Sequence, residues 1–294
     1  MIESGSQDIN SFHLAGIVPL AGLPLDFNMP WHDCFMPIAK DYLAVEHAVQ
    51  ECAMAGCETI WIVCHKDMQP LIRQRIGEWI FDPVTLYSPV NGSQKQKRIP
   101  IFYVPIHPKD RYKRDCLGWS VLYGALTAYS ISNRLSKWVI PDKYYAAFPY
   151  GMYDLEIIRA NRSKFSSKKT YRLTHQGRSI KNNNYLGFTF DAEDFKACRR
   201  VIRKEGTHMR DPEGEKLPLQ ERYSAKNFSL DTVFKAAIIE GEIEIDWYHD
   251  IGSWNGYHNF MASPESKTME RPDKMQYREW NPIGYDEEEN DGQE

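Results

Sequence analysis

The chain has 294 residues, of which 42% are hydrophobic and 26% are charged, and its formal net charge is −4. This apolar content is sufficient for a core and excludes a chain that is disordered throughout. The lack of a basic excess is atypical of a general nucleic-acid binder. No run of about 18 apolar residues occurs, so the sequence predicts no transmembrane helix.

Residues 1–13 are polar and lack the apolar stretch of a signal peptide, so we expect a flexible leader and a cytoplasmic protein. The six cysteines form no CxxC pair, and we expect free thiols in a reducing compartment. A zinc site around Cys64 and His65 is disfavoured because the usual ligand spacing is missing.

The first part of the chain predicts a βαβ unit. "AGIVPLAG" (15–22) is typical of a short buried strand that ends in a glycine turn. "DYLAVEHAVQECAMAG" (41–56) predicts a helix with Asp41 as N-cap and Gly56 just beyond its last turn. "TIWIVC" (59–64) predicts a strand buried on both faces, so we expect a parallel sheet with a right-handed crossover.

The alternation of helices and strands continues through about residue 160 and indicates an α/β domain. The sequence predicts helices over 68–80 ("MQPLIRQRIGEWI") and 118–132, and strands over 98–106 ("RIPIFYVPI") and 137–142 ("KWVIPD"). Beyond these, "FSLDTVFKAAIIEG" (228–241) predicts a further helix, and "EIEIDWYHDIGSW" (242–254) an edge strand followed by a turn.

The predicted domain organisation has three parts. Residues 14–265 are expected to form a single domain, and within it the polar, basic segment 161–227 is expected to be a solvated insertion or a hairpin. A flap that faces phosphate through Arg172, Arg178 or Lys181 is the functional alternative for this segment. Residues 266–294 form a C-terminal extension, whose last ten residues contain six acids and no base.

The order of these segments resembles the sugar-phosphate nucleotidyltransferases of the GT-A-like fold, the group of glucose-1-phosphate uridylyl- and thymidylyltransferases. The resemblance implies a three-layer α/β/α fold with a mostly parallel sheet. It also implies transfer of a nucleoside monophosphate from a nucleoside triphosphate to a sugar 1-phosphate or a similar phosphorylated small molecule, with release of pyrophosphate. The segments that carry it are "GIVPLAG", "MPIAKDYLAVEHAVQECAMAGCETIWIV", "YVPIHPKDRYKRDCLGWSVLYGA", "WVIPDKYY", "FSLDTVF" and "WYHDIGSWNGY".

The resemblance implies a Mg²⁺ ion held by two carboxylates, which fall on Asp142 and Asp250 and would be the catalytic residues. Each is predicted at the carboxyl edge of a strand, where open α/β sheets bind ligands, and Mg²⁺ prefers oxygen ligands. The alternative is that each aspartate only closes a turn.

The resemblance also implies a nucleotide platform formed by Leu20, Ala21, Gly22, Leu23 and Gly118. Gly22 would let the backbone approach the ligand closely, because it has no Cβ. Gly118 would add a second close approach near the amides of a helix N-terminus. Tight packing between a helix and a strand is the structural alternative for Gly118.

The nucleotide loop departs from the pattern of this family, which reads GxGTR with a PK step further on. Pro24, Leu25 and Asp26 stand at the second Gly, the Thr and the Arg, and Asp33 lies near the place of the Lys. A carboxylate repels a polyphosphate unless a metal stands between them.

Three interpretations of this loop remain open. Asp26 or Asp33 binds a second Mg²⁺, or cations from elsewhere contact the phosphates, or the site has lost transfer chemistry. The cluster that contains Arg111, Lys113 and Arg114 is the best-placed source of such cations.

The alternative function is a catalytically inactive nucleotidyltransferase fold that serves as a structural, regulatory or assembly subunit. A glycosyltransferase is disfavoured because "PDKYY" lacks a second aspartate. The expected partners of the enzyme are a nucleoside triphosphate and a sugar phosphate, with no nucleic acid and no membrane, and a homo-oligomer is left open. In the inactive alternative, a partner would contact the aromatic residues Trp119, Trp138, Tyr144, Tyr145, Phe148 and Tyr150.

Overall fold

The structure is a computed structural model that describes residues 12–22, 32–86, 97–219 and 221–272. Strands and helices alternate along most of this length, as the α/β pattern predicts. The strands are β1 (Leu14–Pro19), β2 (Pro37–Ala39), β3 (Tyr42–Leu43), β4 (Thr59–Cys64), β5 (Trp79–Phe81), β6 (Arg98–Pro105), β7 (Lys143–Ala146), β8 (Gly151–Met152), β9 (Tyr171–Thr174), β10 (Phe188–Phe190), β11 (Gly241–Glu244) and β12 (His249–Asp250). The α-helices are α1 (Ala44–Ala55), α2 (Gln69–Ile76), α3 (Pro83–Leu86), α4 (Pro108–Lys113), α5 (Leu117–Leu135), α6 (Leu155–Ala160), α7 (Arg162–Phe165), α8 (Ala192–Glu205), α9 (Leu230–Phe234), α10 (Trp254–Ala262) and α11 (Pro264–Thr268).

Eight strands form one central sheet in the order β11-β9-β10-β7-β1-β4-β6-β5. The centre β7-β1-β4-β6 is parallel, and Ile17 of β1 pairs with Trp61 of β4 on one side and Ala146 of β7 on the other. Strand β10 is antiparallel to both of its neighbours, and β5 is antiparallel to β6. The mostly parallel sheet and the βαβ unit predicted from the sequence are therefore confirmed.

Apolar cores lie on both faces of this sheet and make the fold a three-layer α/β/α structure. Leu14, Val18, Ile60 and Ile62 pack with α1 on one face. The alternate residues of the same strands pack with α5, α8 and α9 on the other face. Strands covered on both sides need continuous apolar runs, which is what β1 and β4 have. Within the described residues no helix is long and apolar enough to cross a membrane.

The start of the first long helix differs from the sequence prediction. α1 begins at Ala44 after the N-cap residue Leu43, whose N–H donates to the Glu46 carboxylate at 2.9 Å. Asp41 is not the N-cap, because it lies in the turn between β2 and β3 with φ of +54°. The predicted role of Gly56 is confirmed by its left-handed φ of +92°.

Two other predicted elements are shorter than their sequence patterns. The helix predicted over 68–80 ends at Ile76, because Gly77 has φ of +88° and turns the chain into the antiparallel strand β5. The helix predicted over 228–241 is limited to Leu230–Phe234. In both cases the periodic apolar residues continue past the helix into a strand or a loop.

The segment 161–227 contributes an antiparallel pair of strands to the central sheet and is not a solvated insertion. It supplies β9 and β10, and their residues Leu173, Phe188 and Phe190 are buried. Thr189, also buried, accepts a hydrogen bond from the Tyr171 amide at 2.7 Å. These strands have only three or four residues, which is too short for a clear alternation among so many polar neighbours.

Candidate functional site

The carboxyl ends of β1, β4, β6 and β7 meet at one edge of the sheet, where the sequence places the nucleotide platform. After β1, the amides of Leu20 and Ala21 both donate to the Val63 carbonyl, at 2.7 and 3.0 Å. The Ser120 hydroxyl of α5 donates to the Ala21 carbonyl. These bonds attach the turn to β4 and α5, so the backbone groups involved stabilise the turn itself.

Gly22 ends the described part of this turn. Its φ is +155°, and a Cβ on this residue would lie 3.1 Å from the Leu117 amide nitrogen at the start of α5. Glycine therefore allows the turn to approach the N-terminus of α5, which is the kind of close approach predicted for it. Leu23, Pro24, Leu25 and Asp26 lie outside the described residues.

Gly118, in the first turn of α5, faces a neighbouring helix. A Cβ on Gly118 would lie 2.7 Å from Cγ2 and 2.8 Å from Cβ of Val233 in α9. The first turn of α5 therefore packs directly on α9, and a glycine at this position serves that packing. A contact of Gly118 with a nucleotide stays a prediction.

Asp250 lies in β12, which pairs with β8 just beyond the carboxyl end of β7. Its carboxylate accepts a hydrogen bond from the Gly252 amide at 2.7 Å and lies beside Tyr185 and Tyr248. The surrounding protein removes water from the Asp250 carboxylate and so raises its pKa, and the hydrogen bond from the Gly252 amide opposes this shift. Asp250 is thus a carboxylate at the edge of the sheet that bears the turn.

Asp142 lies at the opposite edge, so its predicted position is wrong. The segment predicted as a strand over 137–142 contains a 3₁₀-helix, Lys137–Val139, and β7 begins only at Lys143. Asp142 exchanges hydrogen bonds with the backbone of His13, before the start of β1. Ala147, which bonds to the Ile17 carbonyl, is five residues further on, or roughly 16 Å at the rise of a strand.

A magnesium site that uses both Asp142 and Asp250 does not fit this structure, because the two carboxylates lie at opposite ends of β7. The residues that follow β7 at the carboxyl edge are Ala147, Phe148 and Pro149, none of which carries a carboxylate. Within the described ranges, no group of three or more His, Cys, Asp or Glu side chains is arranged to hold a metal ion. Only Asp250 of the predicted pair remains a candidate ligand at the site.

The basic cluster lies in and just after α4, which follows β6 at the carboxyl edge. Arg111 pairs with Asp67 at 3.2 Å, and Lys113 lies over the Tyr223 ring. Arg114 pairs with Asp110 at 2.8 Å, and its guanidinium lies 3.9 Å from the centre of the Trp119 ring. Each cation thus has a local partner, and a phosphate contact by any of them, which stays a prediction, would compete with that partner.

Two pairs, each of a histidine and a neighbouring aspartate, lie at the same edge and were not predicted from the sequence. His65 follows β4, and its Nε2 lies 2.7 Å from Oδ2 of Asp115, the residue before the N-cap of α5. Asp115 is 5% exposed, and its Oδ1 is buried without a hydrogen-bond partner among the described residues. The sequence contains both residues, in "CHKD" and "RDCLGW", but only the sheet brings β4 and α5 together.

His32 and Asp33 form the second neighbour pair. Asp33 is 5% exposed and begins a short 3₁₀-helix, Asp33–Phe35, that packs between α1 and the ends of the strands. Burial lowers the pKa of His32, and the nearby Asp33 carboxylate opposes this shift. The edge therefore has neutral and acidic groups at the place where the resemblance implies a lysine.

The aromatic residues proposed as a partner surface are buried. Phe148 and Tyr145 are fully buried, and Trp119, Tyr144 and Tyr150 are at most 4% exposed. Tyr150 and Phe148 pack on Tyr185, and Tyr144 stacks on Phe190. These five residues belong to the core. The side chain of Trp138 is not among the described ones. All six cysteines are buried and free, as predicted.

No protein-family model matches this chain, and no curated protein does. Among solved structures it is similar to a protein described as a glucose-1-phosphate thymidylyltransferase from Bacillus anthracis in complex with sucrose. The TM-score is 0.53 at 11% identity, over 89% of this chain and 98% of that chain. It is also similar to a UDP-glucose pyrophosphorylase complexed with UDP-glucose, with a TM-score of 0.50 at 12% identity over 87% of this chain and 99% of that chain. An apo UDP-glucose pyrophosphorylase has a TM-score of 0.50 at 14% identity over 88% of this chain and 100% of that chain.

Proposed function

We propose that this chain is a nucleotidyltransferase-like protein that binds a nucleoside triphosphate and a phosphorylated small molecule at the carboxyl edge of its sheet. The fold is that of the sugar-phosphate nucleotidyltransferases to which its structure is similar. One observation carries the proposal: the Leu20–Gly22 turn is fixed against the N-terminus of α5 on the same edge as Asp250. Ligands of open α/β sheets bind in this position.

The chemistry proposed for this site is attack of a sugar phosphate on the α-phosphate of the triphosphate, with release of pyrophosphate. In such a transfer a protein mainly positions two anions and stabilises the developing charge. The turn and the first residues of α5 would orient the nucleotide, and Asp250 would lie beside the transferring group. Because Asp142 lies at the other edge, we assign it no part in this chemistry.

A second candidate function is a catalytically inactive member of the fold that has a structural or regulatory role. Two observations favour it. Asp142 lies before β7, at the edge of the sheet away from the turn. Phe148 and Pro149 follow β7 at the edge where the resemblance implies a metal-binding aspartate. Such a protein could retain a nucleotide or a nucleotide sugar at the turn without transfer.

The experiment that separates the two candidates is thermal unfolding with each nucleoside triphosphate, with and without Mg²⁺, followed by an assay of pyrophosphate release. A ligand at 100 times its Kd stabilises the native state by about 2.7 kcal/mol. Stabilisation together with pyrophosphate release in the presence of a sugar phosphate supports the transferase. Stabilisation without release supports the inactive member. No stabilisation by any nucleotide contradicts the transferase and also supports the inactive member.

Asp250→Asn and Asp142→Asn are a matched pair for this experiment. We expect Asp250→Asn to reduce pyrophosphate release at least tenfold, because its carboxylate lies at the site. Asp142→Asn should retain the activity of the unmodified chain, because within the described residues its hydrogen bonds go to the backbone of His13, at the other edge of the sheet. Equal losses of activity in both variants would contradict the assignment of the site to the edge that bears Asp250.

A further inference from the structure

Helix α8, on the face of the sheet that also bears α5, carries a stripe of cations that we call the α8 basic face. Its five cations are spaced three and four residues apart, which places them on one side of the helix: Lys196, Arg199, Arg200, Arg203 and Lys204. Lys196 pairs with Glu193 at 2.8 Å, whereas no ion pair involves the other four within the described residues. The α8 basic face consists of Lys196, Arg199, Arg200, Arg203 and Lys204, which line a hollow of about 530 Å³ together with Phe195.

An apolar pocket of about 330 Å³ adjoins the α8 basic face. Tyr129 and Leu126 of α5, Tyr144 of β7 and Phe195 of α8 line it, and Lys196 and Arg199 lie where the two hollows meet. Tyr129 is 46% exposed, so its side chain is accessible to a ligand in this pocket. Arg199 Nε is buried without a hydrogen-bond partner in the part of the chain that the structure describes.

These two adjoining features define the chemistry of a ligand. Unpaired arginines favour carboxylates, with which they form charge-assisted hydrogen bonds. The pocket beside them suits one aromatic side chain, and arginine and tyrosine are typical of surfaces that bind proteins. A segment with an aromatic residue followed by several acids would fill both features at once.

The chain itself contains such a segment outside the described residues. Residues 273–294 include Trp280 and Tyr285, and Tyr285 is followed directly by "DEEENDGQE". The charges of this ending are opposite to those of the α8 basic face. Pro272, the last described residue, lies beside α1 on the other face of the sheet.

The length of this segment is sufficient to reach α8. Tyr285 is 13 residues beyond Pro272, and the whole segment of 22 residues has a reach of roughly 75 Å at full extension. A globular chain of 294 residues has a radius of gyration of about 19 Å and is therefore about 50 Å across. The acids that follow Tyr285 can therefore reach the other face of the sheet.

We propose that the α8 basic face and its apolar pocket bind the C-terminal segment 273–294 of the same chain. The acids that follow Tyr285 contact the arginines of α8, and Tyr285 enters the pocket between α5 and α8. This interaction is independent of the nucleotide site, so it holds whether or not the proposed transfer activity is found.

The test measures the distance between the segment and α8 in the full-length chain. Cysteines introduced by Glu193→Cys and Gln293→Cys carry nitroxide labels, while the six native thiols are buried and remain unlabelled. Double electron–electron resonance should give a short, narrow distance distribution at low salt. Molar salt should reduce the short-distance fraction several-fold, because it screens exposed charges.

Charge reversal supplies the matched control. Arg200→Glu with Arg203→Glu should reduce the short-distance fraction at least fivefold, whereas Lys164→Glu with Lys168→Glu, an equal change of charge at exposed lysines elsewhere, should leave it unchanged. Tyr285→Ala should also reduce it, because the pocket loses its aromatic occupant. Circular dichroism of each variant checks that the fold is intact.

Two results would overturn the proposal. The first is a broad distribution that neither salt nor the α8 substitutions change, which would mean that the segment does not bind α8. The second is a short distance found only when two singly labelled chains are mixed. In that case the segment of a second copy would be the occupant.

Discussion

Glu51 is a carboxyl group in the centre of the core, on the side of α1 that faces β7. It is fully buried, and Tyr145 donates a hydrogen bond to it at 2.6 Å. Burial raises the pKa of Glu51 to about 8, and the hydrogen bond from Tyr145 opposes this shift. At neutral pH the side chain is therefore mostly protonated, which avoids a buried charge.

This protonation makes the stability of the protein depend on pH. Between pH 4.5 and about 8 the folded state keeps a proton on Glu51 that the unfolded state releases. The free energy of unfolding therefore falls as the pH rises through this window, by about 1.4 kcal/mol per pH unit at most. Glu51→Gln should remove this contribution, because an amide of the same shape stays neutral while still accepting from Tyr145.

Urea unfolding at pH 5, 6.5 and 8 measures the effect. The Gln variant should be more stable than the unmodified chain at pH 8 and close to it at pH 5. Glu156→Gln, at a half-exposed carboxylate on α6, is the control and should leave the pH dependence unchanged. The same pH slope in the unmodified chain and in Glu51→Gln would contradict a protonated Glu51.

The sequence could predict the apolar stripe of α1 but not its buried polar residues. Its periodicity indicates one covered face, yet Glu46, His47, Gln50 and Glu51 are also buried. The reason is tertiary: α6 and α7 pack on the outer side of α1. Both follow residue 150 in the chain, so no local pattern in 41–56 reports the contact.

At the scale of elements, the contact between α5 and α9 explains Gly118. The space at this glycine is occupied by the Val233 side chain, so Gly118→Ala would place a methyl group against a packed valine. Such overpacking costs about 1–3 kcal/mol. We therefore expect Gly118→Ala to lower the free energy of unfolding by an amount in this range.

A second substitution tests whether packing is the cause. Val233→Ala creates space next to Gly118, so the double variant should lose less stability than the sum of the two single variants. The coupling energy measured by urea unfolding should be at least 0.5 kcal/mol, as for residues in contact. Simple additivity would contradict the packing role and favour the nucleotide contact predicted for Gly118.

The strand predicted over residues 137–142 is wrong, because this segment precedes the strand β7. "KWVIPD" has the composition of a buried strand, but the chain forms a 3₁₀-helix and reaches β7 only after Pro141. Proline lacks the N–H that a central strand needs and is common at the first residues of a strand, so Pro141 indicates the beginning of a strand at this point. Because β7 begins after Asp142 instead of ending at it, Asp142 lies at the edge of the sheet opposite to the predicted one.

For the whole molecule, the order of elements was predictable, while the composition of the site was not. Long apolar runs such as "TIWIVC" specify strands by themselves, and their alternation with helices specifies a parallel sheet. The site depends on pairings such as that of His65 with Asp115, which are 50 residues apart. Only the assembled sheet places those side chains at one edge.

Arg162 shows how the segment 161–227 is joined to the rest of the molecule. Its guanidinium donates to both carboxylate oxygens of Asp82, at 3.0 and 2.6 Å, and to the Ala53 carbonyl at 3.0 Å. Asp82, which follows β5, is 1% exposed. One side chain thus connects the start of α7 with the end of α1 and the residue after β5.

Removal of this arginine should destabilise the protein strongly. Arg162→Ala deprives a buried carboxylate of its bidentate partner, and the loss of one member of a buried pair costs about 3–5 kcal/mol. Arg159→Ala, three residues earlier, removes an ion pair with Glu156 whose side chains are both about half exposed, and should change stability by less than about 0.5 kcal/mol. Urea unfolding of the two variants at neutral pH gives the comparison.

The double variant Arg162→Ala with Asp82→Asn separates charge from packing. If the loss of the ion pair at Asp82 is the main cause, neutralising this buried carboxylate should recover more than half of the stability lost in Arg162→Ala. Equal and small losses for Arg162→Ala and Arg159→Ala would show that this pair does not hold the segment to the sheet. A large loss without recovery would instead assign the effect to the bond with Ala53 and to the contacts of the arginine stem.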